Sequence, residues 1–89
     1  MMEINVPVPS SDVTLQRVGN EAILYDKRNG RAHVINNSAA RIWELCNGTS
    51  TFEQICTAFG ASYGLSAETV ADDVRSILTT FAQLKVLEV

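Results

Sequence analysis

Glu21-Ala22-Ile23-Leu24-Tyr25-Asp26-Lys27-Arg28-Asn29-Gly30-Arg31-Ala32-His33-Val34-Ile35-Asn36 is the stretch that decides the fold of this chain. The runs Ala22 to Tyr25 and Ala32 to Ile35 are apolar and too short for helices. Asn29-Gly30 lies between them, and this dipeptide is the strongest short-range hairpin signal because both residues tolerate positive φ. Two antiparallel strands follow, Glu21–Asp26 and Arg31–Asn36. Upstream, Val13 and Leu15 alternate with Thr14 and Gln16, the period of a half-buried strand, and Gly19-Asn20 punctuates its end. The segment Asp12–Arg17 is therefore a third strand.

Beyond Ile35 the apolar period lengthens to that of a helix. Asn36 or Asn37 can cap a first helix whose inward positions are Ala39, Ile42, Trp43 and Cys46, and Asn47-Gly48 ends it. Thr51 and Gln54 have the spacing of a capping box, opening a second helix with Phe52, Ile55, Cys56 and Phe59 on one face. Gly60 to Gly64 reads as a loosened connection. Ser66, followed by Glu68, opens the longest helix, with Val70, Val74, Ile77, Leu78, Phe81 and Leu84 in helical spacing. The tail from Lys85 to Val89 either adds a short strand or covers the edge of the core. Strands first and helices second predict an α+β domain: a three-stranded antiparallel sheet followed by three helices, winged-helix-like if helices two and three form a helix-turn-helix.

Pro7 and Pro9, with Ser10 and Ser11, break ladders, so residues 1–11 are expected to form a loosely attached N-terminal arm. Residues 12–89 are expected to form a single domain. A chain of 89 residues closes one core without a second lobe around a cleft. Seven basic against ten acidic residues give a net charge of −3, a field that repels phosphate backbones. The beginning MMEINVPVP lacks a basic region followed by an apolar run, and no run of about eighteen apolar residues occurs. The expected location is cytoplasmic, without membrane contact. Cys46 and Cys56 fall on apolar helix faces and read as buried thiols, and one histidine with two cysteines cannot make a four-ligand zinc site. Neither a metal nor another cofactor is expected.

No set of nucleophile, base and charge-stabilising donor emerges. His33 lies within a strand, and its nearest acidic residue is Asp26 across the hairpin. Asp72 and Asp73 diverge by about 100° around a helix axis and do not aim at one point. A non-enzymatic role is therefore expected. A winged-helix reading requires a basic recognition helix, whereas the third helix begins Ser66-Ala67-Glu68-Thr69-Val70-Ala71-Asp72-Asp73. DNA binding stands as the rival reading and is disfavoured by that acidity.

In a simple meander the strand Arg31–Asn36 is a sheet edge, with no proline to block pairing. An extended peptide could add to that edge through main-chain hydrogen bonds, with a pocket for its apolar side chains against the third helix. The alternatives are that the tail or the arm covers the edge, or that two copies of the chain pair through it as a homodimer.

The string Gly30-Arg31-Ala32-His33-Val34-Ile35-Asn36, then Ser38-Ala39-Ala40-Arg41-Ile42-Trp43-Glu44-Leu45-Cys46-Asn47-Gly48-Thr49, resembles the PqqD-like family. Thr51-Phe52-Glu53-Gln54-Ile55, Tyr63-Gly64, Val70, Asp73-Val74 and Leu78 fit as well, and the likeness runs from about Leu15 to Leu87. The resemblance implies a recognition element for ribosomally synthesized and post-translationally modified (RiPP) peptides, which receives the precursor's leader as an added strand. It implies as partners a precursor leader peptide and a maturation enzyme such as a radical S-adenosylmethionine protein. Carried over by position, the peptide-binding residues would be Ala32, His33, Val34 and Ile35 on the strand, and Val70, Asp73, Val74, Ile77, Leu78 and Phe81 on the helix. Proteins of pyrroloquinoline quinone synthesis itself tend to have a proline and an acidic residue before this strand, whereas this chain has Asp26-Lys27-Arg28-Asn29-Gly30. The resemblance is thus to the wider family, including lasso-type and radical-enzyme systems.

Overall fold

The computed structural model describes residues 5–88. Eight elements follow one another: β1 (Val8–Pro9), β2 (Val13–Val18), β3 (Glu21–Asp26), β4 (Arg31–Asn36), α1 (Asn37–Leu45), α2 (Phe52–Ser62), α3 (Ala67–Gln83) and β5 (Leu87–Glu88). The antiparallel sheet has the order β2-β3-β4, and the helices follow it, as the sequence predicts. The hairpin between β3 and β4 turns through Lys27–Gly30, with Gly30 at φ +70°, where an L side chain would be strained.

Each helix opens on the predicted cap. Asn36 Oδ1 accepts from the Ala39 amide at 2.8 Å. At Thr51 both halves of the capping box form: Gln54 N donates to Thr51 Oγ1, and Thr51 N donates to Gln54 Oε1. Ser66 Oγ accepts from the Thr69 amide. The connection between α2 and α3 differs from expectation. α2 runs through Gly60 to Ser62, and Gly60 is buried inside it. A Cβ at Gly60 would stand 2.6 Å from the Leu65 carbonyl oxygen, so this glycine serves close packing of the following turn and not looseness.

The core lies between one face of the sheet and the three helices. Val13 and Leu24 from the sheet meet Ala39, Ile42 and Trp43 of α1, Ile55, Cys56 and Phe59 of α2, and Val70, Val74, Leu78 and Phe81 of α3. Trp43 and Phe81 pack edge to face, with centroids 5.5 Å apart. Both cysteines are reduced and buried, and burial pushes the Cys46 thiol up to about 12.

The two chain ends meet. β1 pairs antiparallel with β5, Ser10 N donates to Val86 O at 2.9 Å, and Phe52 N donates to Asn5 O. The arm expected over residues 1–11 is thus held against the domain from Asn5 onward. Its prolines do not prevent this, because Pro9 occupies a two-residue strand that pairs on one side only. Residues 1–4 of the expected arm lie outside the described residues. The tail takes the strand alternative at Leu87–Glu88. α3 ends in a Schellman motif: Val86 N donates to Phe81 O, Lys85 N donates to Ala82 O, and Lys85 takes the left-handed conformation at φ +61°.

Candidate functional site

β4 closes one side of the sheet, and no described residue pairs with its outer side. The ladder on its inner side determines which backbone groups are left over. Lys27 N donates to Asp12 O, which makes Val13↔Asp26 a non-hydrogen-bonded pair of β2 and β3. Alternation then turns the N–H and C=O groups of Ala22, Leu24 and Asp26 toward β4, where they meet Ile35, His33 and Arg31. The amide and carbonyl groups of Ala32 and Val34 consequently point outward from the sheet. No hydrogen bond to them forms among the described residues.

Side chains divide with the opposite phase. Residues directly paired across a ladder share a face. His33 and Ile35 stand beside Leu24 and Ala22 on the core side, and both are half-buried, whereas their partners are fully buried. Val34, on the outer side, is 65% exposed. The core is complete at β3 and incomplete at β4.

The second wall expected from the sequence is α3. It packs chiefly on α2, with narrower contacts to α1 and β5 and none of comparable extent to β4. The Arg75 guanidinium lies 5.1 Å from the centre of the Phe52 ring, which marks the α2 side of the helix. At about 100° per residue, Ile77 points some 160° away from Arg75. Asp73, Ile77 and Leu84 fall within about 40° of one another on that opposite flank, and Thr80 adjoins them. Ile77 and Leu84 are half-buried against the core, and Asp73 and Thr80 are exposed. α3 is tied to the hairpin at its C-terminal end, where Arg28 Nη2 donates to Lys85 O at 2.6 Å.

At the other end of the sheet Arg17 of β2 is tied to α1, which follows β4 directly. Its guanidinium donates to Asn37 Oδ1 and forms a forked pair with Glu44. The hydrogen bond to Glu44 is the main reason the Arg17 pKa is raised.

The residues predicted to bind peptide separate into two groups. Ala32, His33, Val34 and Ile35 lie together on the free edge, and Asp73 and Ile77 lie on the α3 flank just described. Val70, Val74, Leu78 and Phe81 are instead buried in the core, none more than 3% exposed. They hold α3 in place from behind. Thr80 and Leu84 share this flank but do not figure among the residues predicted from the sequence; the signal available was their spacing of three and seven from Ile77 along one helix flank.

His33 is not oriented by a carboxylate. Asp26, its nearest acidic candidate, is buried and engaged by Arg28, which donates to it from its backbone N, Nε and Nη2. This hydrogen bonding holds the Asp26 carboxyl below its ordinary value against the opposing effect of burial. Asp72 bonds to Arg75, and among the described residues no group of three or more His, Cys, Asp or Glu could hold a metal ion. None of the described helices is long and apolar enough to cross a membrane.

The same edge and helix fall inside a recognisable sequence pattern. Residues 21–87 match the sequence profile of the family described as Coenzyme PQQ synthesis protein D (PqqD). This chain belongs to the PqqD family. No curated protein matches it. Among solved structures, TbiB1 in complex with the TbiA(beta) leader peptide is similar at 27% identity and a TM-score of 0.76, covering 91% of this chain and 94% of that one. The PqqD truncation of Methylobacterium extorquens PqqCD, a functional and stand-alone RiPP recognition element, is similar at 26% identity and a TM-score of 0.78, covering 94% of this chain and 89% of that one. A lasso peptide synthetase B1 complexed with its leader peptide shares the fold at 13% identity and a TM-score of 0.72, covering 92% of this chain and 95% of that one. The PqqD match accounts for the three-stranded sheet and three helices as a family architecture.

Proposed function

We propose that this PqqD-family protein is a non-catalytic, cytoplasmic peptide chaperone that binds the leader segment of a ribosomally made precursor and presents it to a maturation enzyme. The observation that carries this reading is the free edge of β4. Ala32 and Val34 offer unpaired donors and acceptors beside a core rim of half-buried apolar side chains. An incoming extended peptide would become the fourth strand, with alternate side chains lying over His33 and Ile35 and against Ile77 and Leu84 of α3. The similarity to TbiB1, whose structure contains a leader peptide, supports the same reading.

The chemistry asked of this domain is noncovalent. Strand pairing and a few apolar anchors hold the peptide, and holding it near an enzyme such as a radical S-adenosylmethionine protein raises its effective concentration there. A disordered leader gives up roughly 2 to 5 kcal/mol in ordering, so the peptide must use several anchors at once.

An amide-resolved NMR titration tests the proposal, using a synthetic leader segment from a precursor encoded beside this protein. The expected result is a set of saturable shifts centred on Ala32, Val34 and the Asp73–Leu84 stretch of α3. Saturable binding with shifts confined to β2 or α2 would overturn it.

A further inference from the structure

The sheet has a second free edge. β2 lies at the end of the order β2-β3-β4, away from β4. The alternation that turns Ala32 and Val34 outward also fixes the phase of β2. Thr14, Gln16 and Val18 exchange hydrogen bonds with β3, and the N–H and C=O groups of Val13, Leu15 and Arg17 point away from the sheet. The Val13 amide is taken, because it donates to Ser10 O at 3.2 Å. Leu15 and Arg17 keep both groups, and no hydrogen bond to any of these four forms among the described residues. The helix that packs most closely on the sheet, α1, lies on β3 and β4, with no contact of comparable extent to β2. The strand has no proline, lysine or bulge, the usual means by which an edge keeps other strands away.

Two fully free residues flanking one that faces inward form a pattern that a second copy of the same strand completes. With a twofold axis at Gln16, Leu15 of each copy exchanges both hydrogen bonds with Arg17 of the other, so four bonds form and every free group is used. An axis at Leu15 would instead call on the Val13 amide, which Ser10 holds. The side chains suit the Gln16 register. On the outer face Thr14 of one copy comes opposite Val18 of the other, which is 53% exposed in the single chain. Gln16 meets Gln16, each side-chain amide able to donate and to accept. On the core face Leu15 comes beside Arg17, whose charge is answered by Glu44 of its own copy. Arg41 adds positive charge beside Glu44, Asp12 comes opposite Asn20 with Arg28 of its own copy nearby, and Glu21 and Asp26 lie one strand inward on β3. No like charges come directly opposite one another.

We propose that β2 pairs antiparallel with β2 of a second copy of this chain, giving a twofold dimer whose sheet has six strands in the order β4-β3-β2-β2-β3-β4. The interface is isologous, the same edge meeting itself. Both β4 edges stay open at the outer rims of that sheet, five strand spacings or about 24 Å apart. The dimer would therefore carry two separate edges for added strands, and its formation does not depend on the leader-binding reading. A single strand pair buries less than the roughly 1,200 Å² of a stable interface, so the dimer is a weak one, with a Kd of about 100 µM expected.

Sedimentation equilibrium from about 10 µM to about 1 mM, with amide-resolved NMR over the same dilution series, tests the proposal. The expected result is a mass that rises from one chain toward two, with dilution shifts gathered on Leu15, Gln16 and Arg17. Gln16 is exposed, so Gln16→Lys and Gln16→Glu put like charges opposite each other at the axis without touching the core, and circular dichroism confirms that the variants fold. Each variant alone is expected to dimerise about fivefold more weakly, and an equimolar mixture of the two to recover the wild-type affinity or exceed it. A protein that stays monomeric over the whole range would overturn the proposal. So would dilution shifts centred on Ala32 and Val34, which would mean pairing through β4, a dimer that neither variant weakens, or a mixture no tighter than its components.

Discussion

Arg28 reaches across the fold to Lys85: its Nη2 donates to the Lys85 carbonyl oxygen at 2.6 Å while also bonding to Asp26 Oδ2 at 2.8 Å. One guanidinium thus joins a buried carboxylate on β3 to the turn that ends α3. Its planar fork makes both bonds without a change of rotamer, which a lysine could not match. The consequence is geometric. β4 follows this hairpin directly and α3 ends at this turn, so the clamp fixes the distance between the start of β4 and the end of α3.

Replacing Arg28 with Met is expected to lower Tm at pH 7, since Asp26 would remain ionised and buried without its partner. The sign with pH follows from the carboxyl. Its value in the folded protein lies below the ordinary 3.8, so its contribution to stability is fully present above that value and is lost as pH falls through the lower, folded one. Thermal melts of both proteins from pH 7 to pH 2.5 are expected to show a gap in Tm that is widest near neutrality and narrows below about pH 4, where protonated Asp26 no longer needs a cation. A gap constant over that range would remove Asp26 as its cause.

Val34→Pro and His33→Pro are expected to behave oppositely although they are neighbours. The Val34 amide points outward, so proline there removes a donor needed only by an added strand; the fold survives and leader affinity falls about tenfold or more. The His33 amide points to Leu24, so proline there breaks the sheet's own ladder and destabilises the fold. Circular dichroism and calorimetric titration with a leader peptide separate the two. Full leader affinity in Val34→Pro would count decisively against strand addition.

Lys85→Gly is expected to stabilise the protein. An L residue in the left-handed conformation is strained by about 1 kcal/mol relative to glycine, and φ at Lys85 is +61°. For a domain of this size that corresponds to a rise in Tm of about 4–8 °C. The clamp from Arg28 should survive, because it uses the backbone carbonyl. An unchanged or lower Tm would mean that the Lys85 side chain contributes more than its backbone costs.

Much of this architecture was legible in the sequence because local signals and the global fold agree. Asn29-Gly30 named the hairpin, and Thr51, Ser66 and the pair Asn36-Asn37 named three helix starts, of which the caps form at Asn36, Thr51 and Ser66. Gly60 was misread because a glycine near the end of a helix signals a break, and only the proximity of Leu65 reveals a packing role. β1 and β5 were harder to foresee, since two-residue strands carry no periodicity and form where the two chain ends are brought together. The site was legible as an edge but not as a groove. Helical spacing marks which residues of α3 are apolar, yet Val70, Val74, Ile77, Leu78 and Phe81 look alike until α2 is placed and shows which flank is left over. The phase of the free amides was equally invisible, because it depends on the ladder between β2 and β3 and not on β4.

Ile77 and Leu78 are adjacent and both aliphatic, and they are expected to separate stability from binding. Leu78 is 1% exposed within the core, so Leu78→Ala creates a cavity and should cost about 2–5 kcal/mol. Against a total stability of about 5–15 kcal/mol, that leaves a folded but weakened domain or none at all. Ile77 is half-buried on the groove flank, so Ile77→Ala removes less buried surface and should cost about 1 kcal/mol in stability. Its larger effect should fall on the peptide, because in the complex Ile77 gains the contact it lacks in the free protein. Burying an aliphatic side chain more fully is worth up to about 1.5 kcal/mol, or about tenfold in leader affinity. Urea melts give the stabilities and calorimetric titration the affinities. If Ile77→Ala bound leader as tightly as wild type, α3 would not be a wall of the groove, and peptide contact would be restricted to β4.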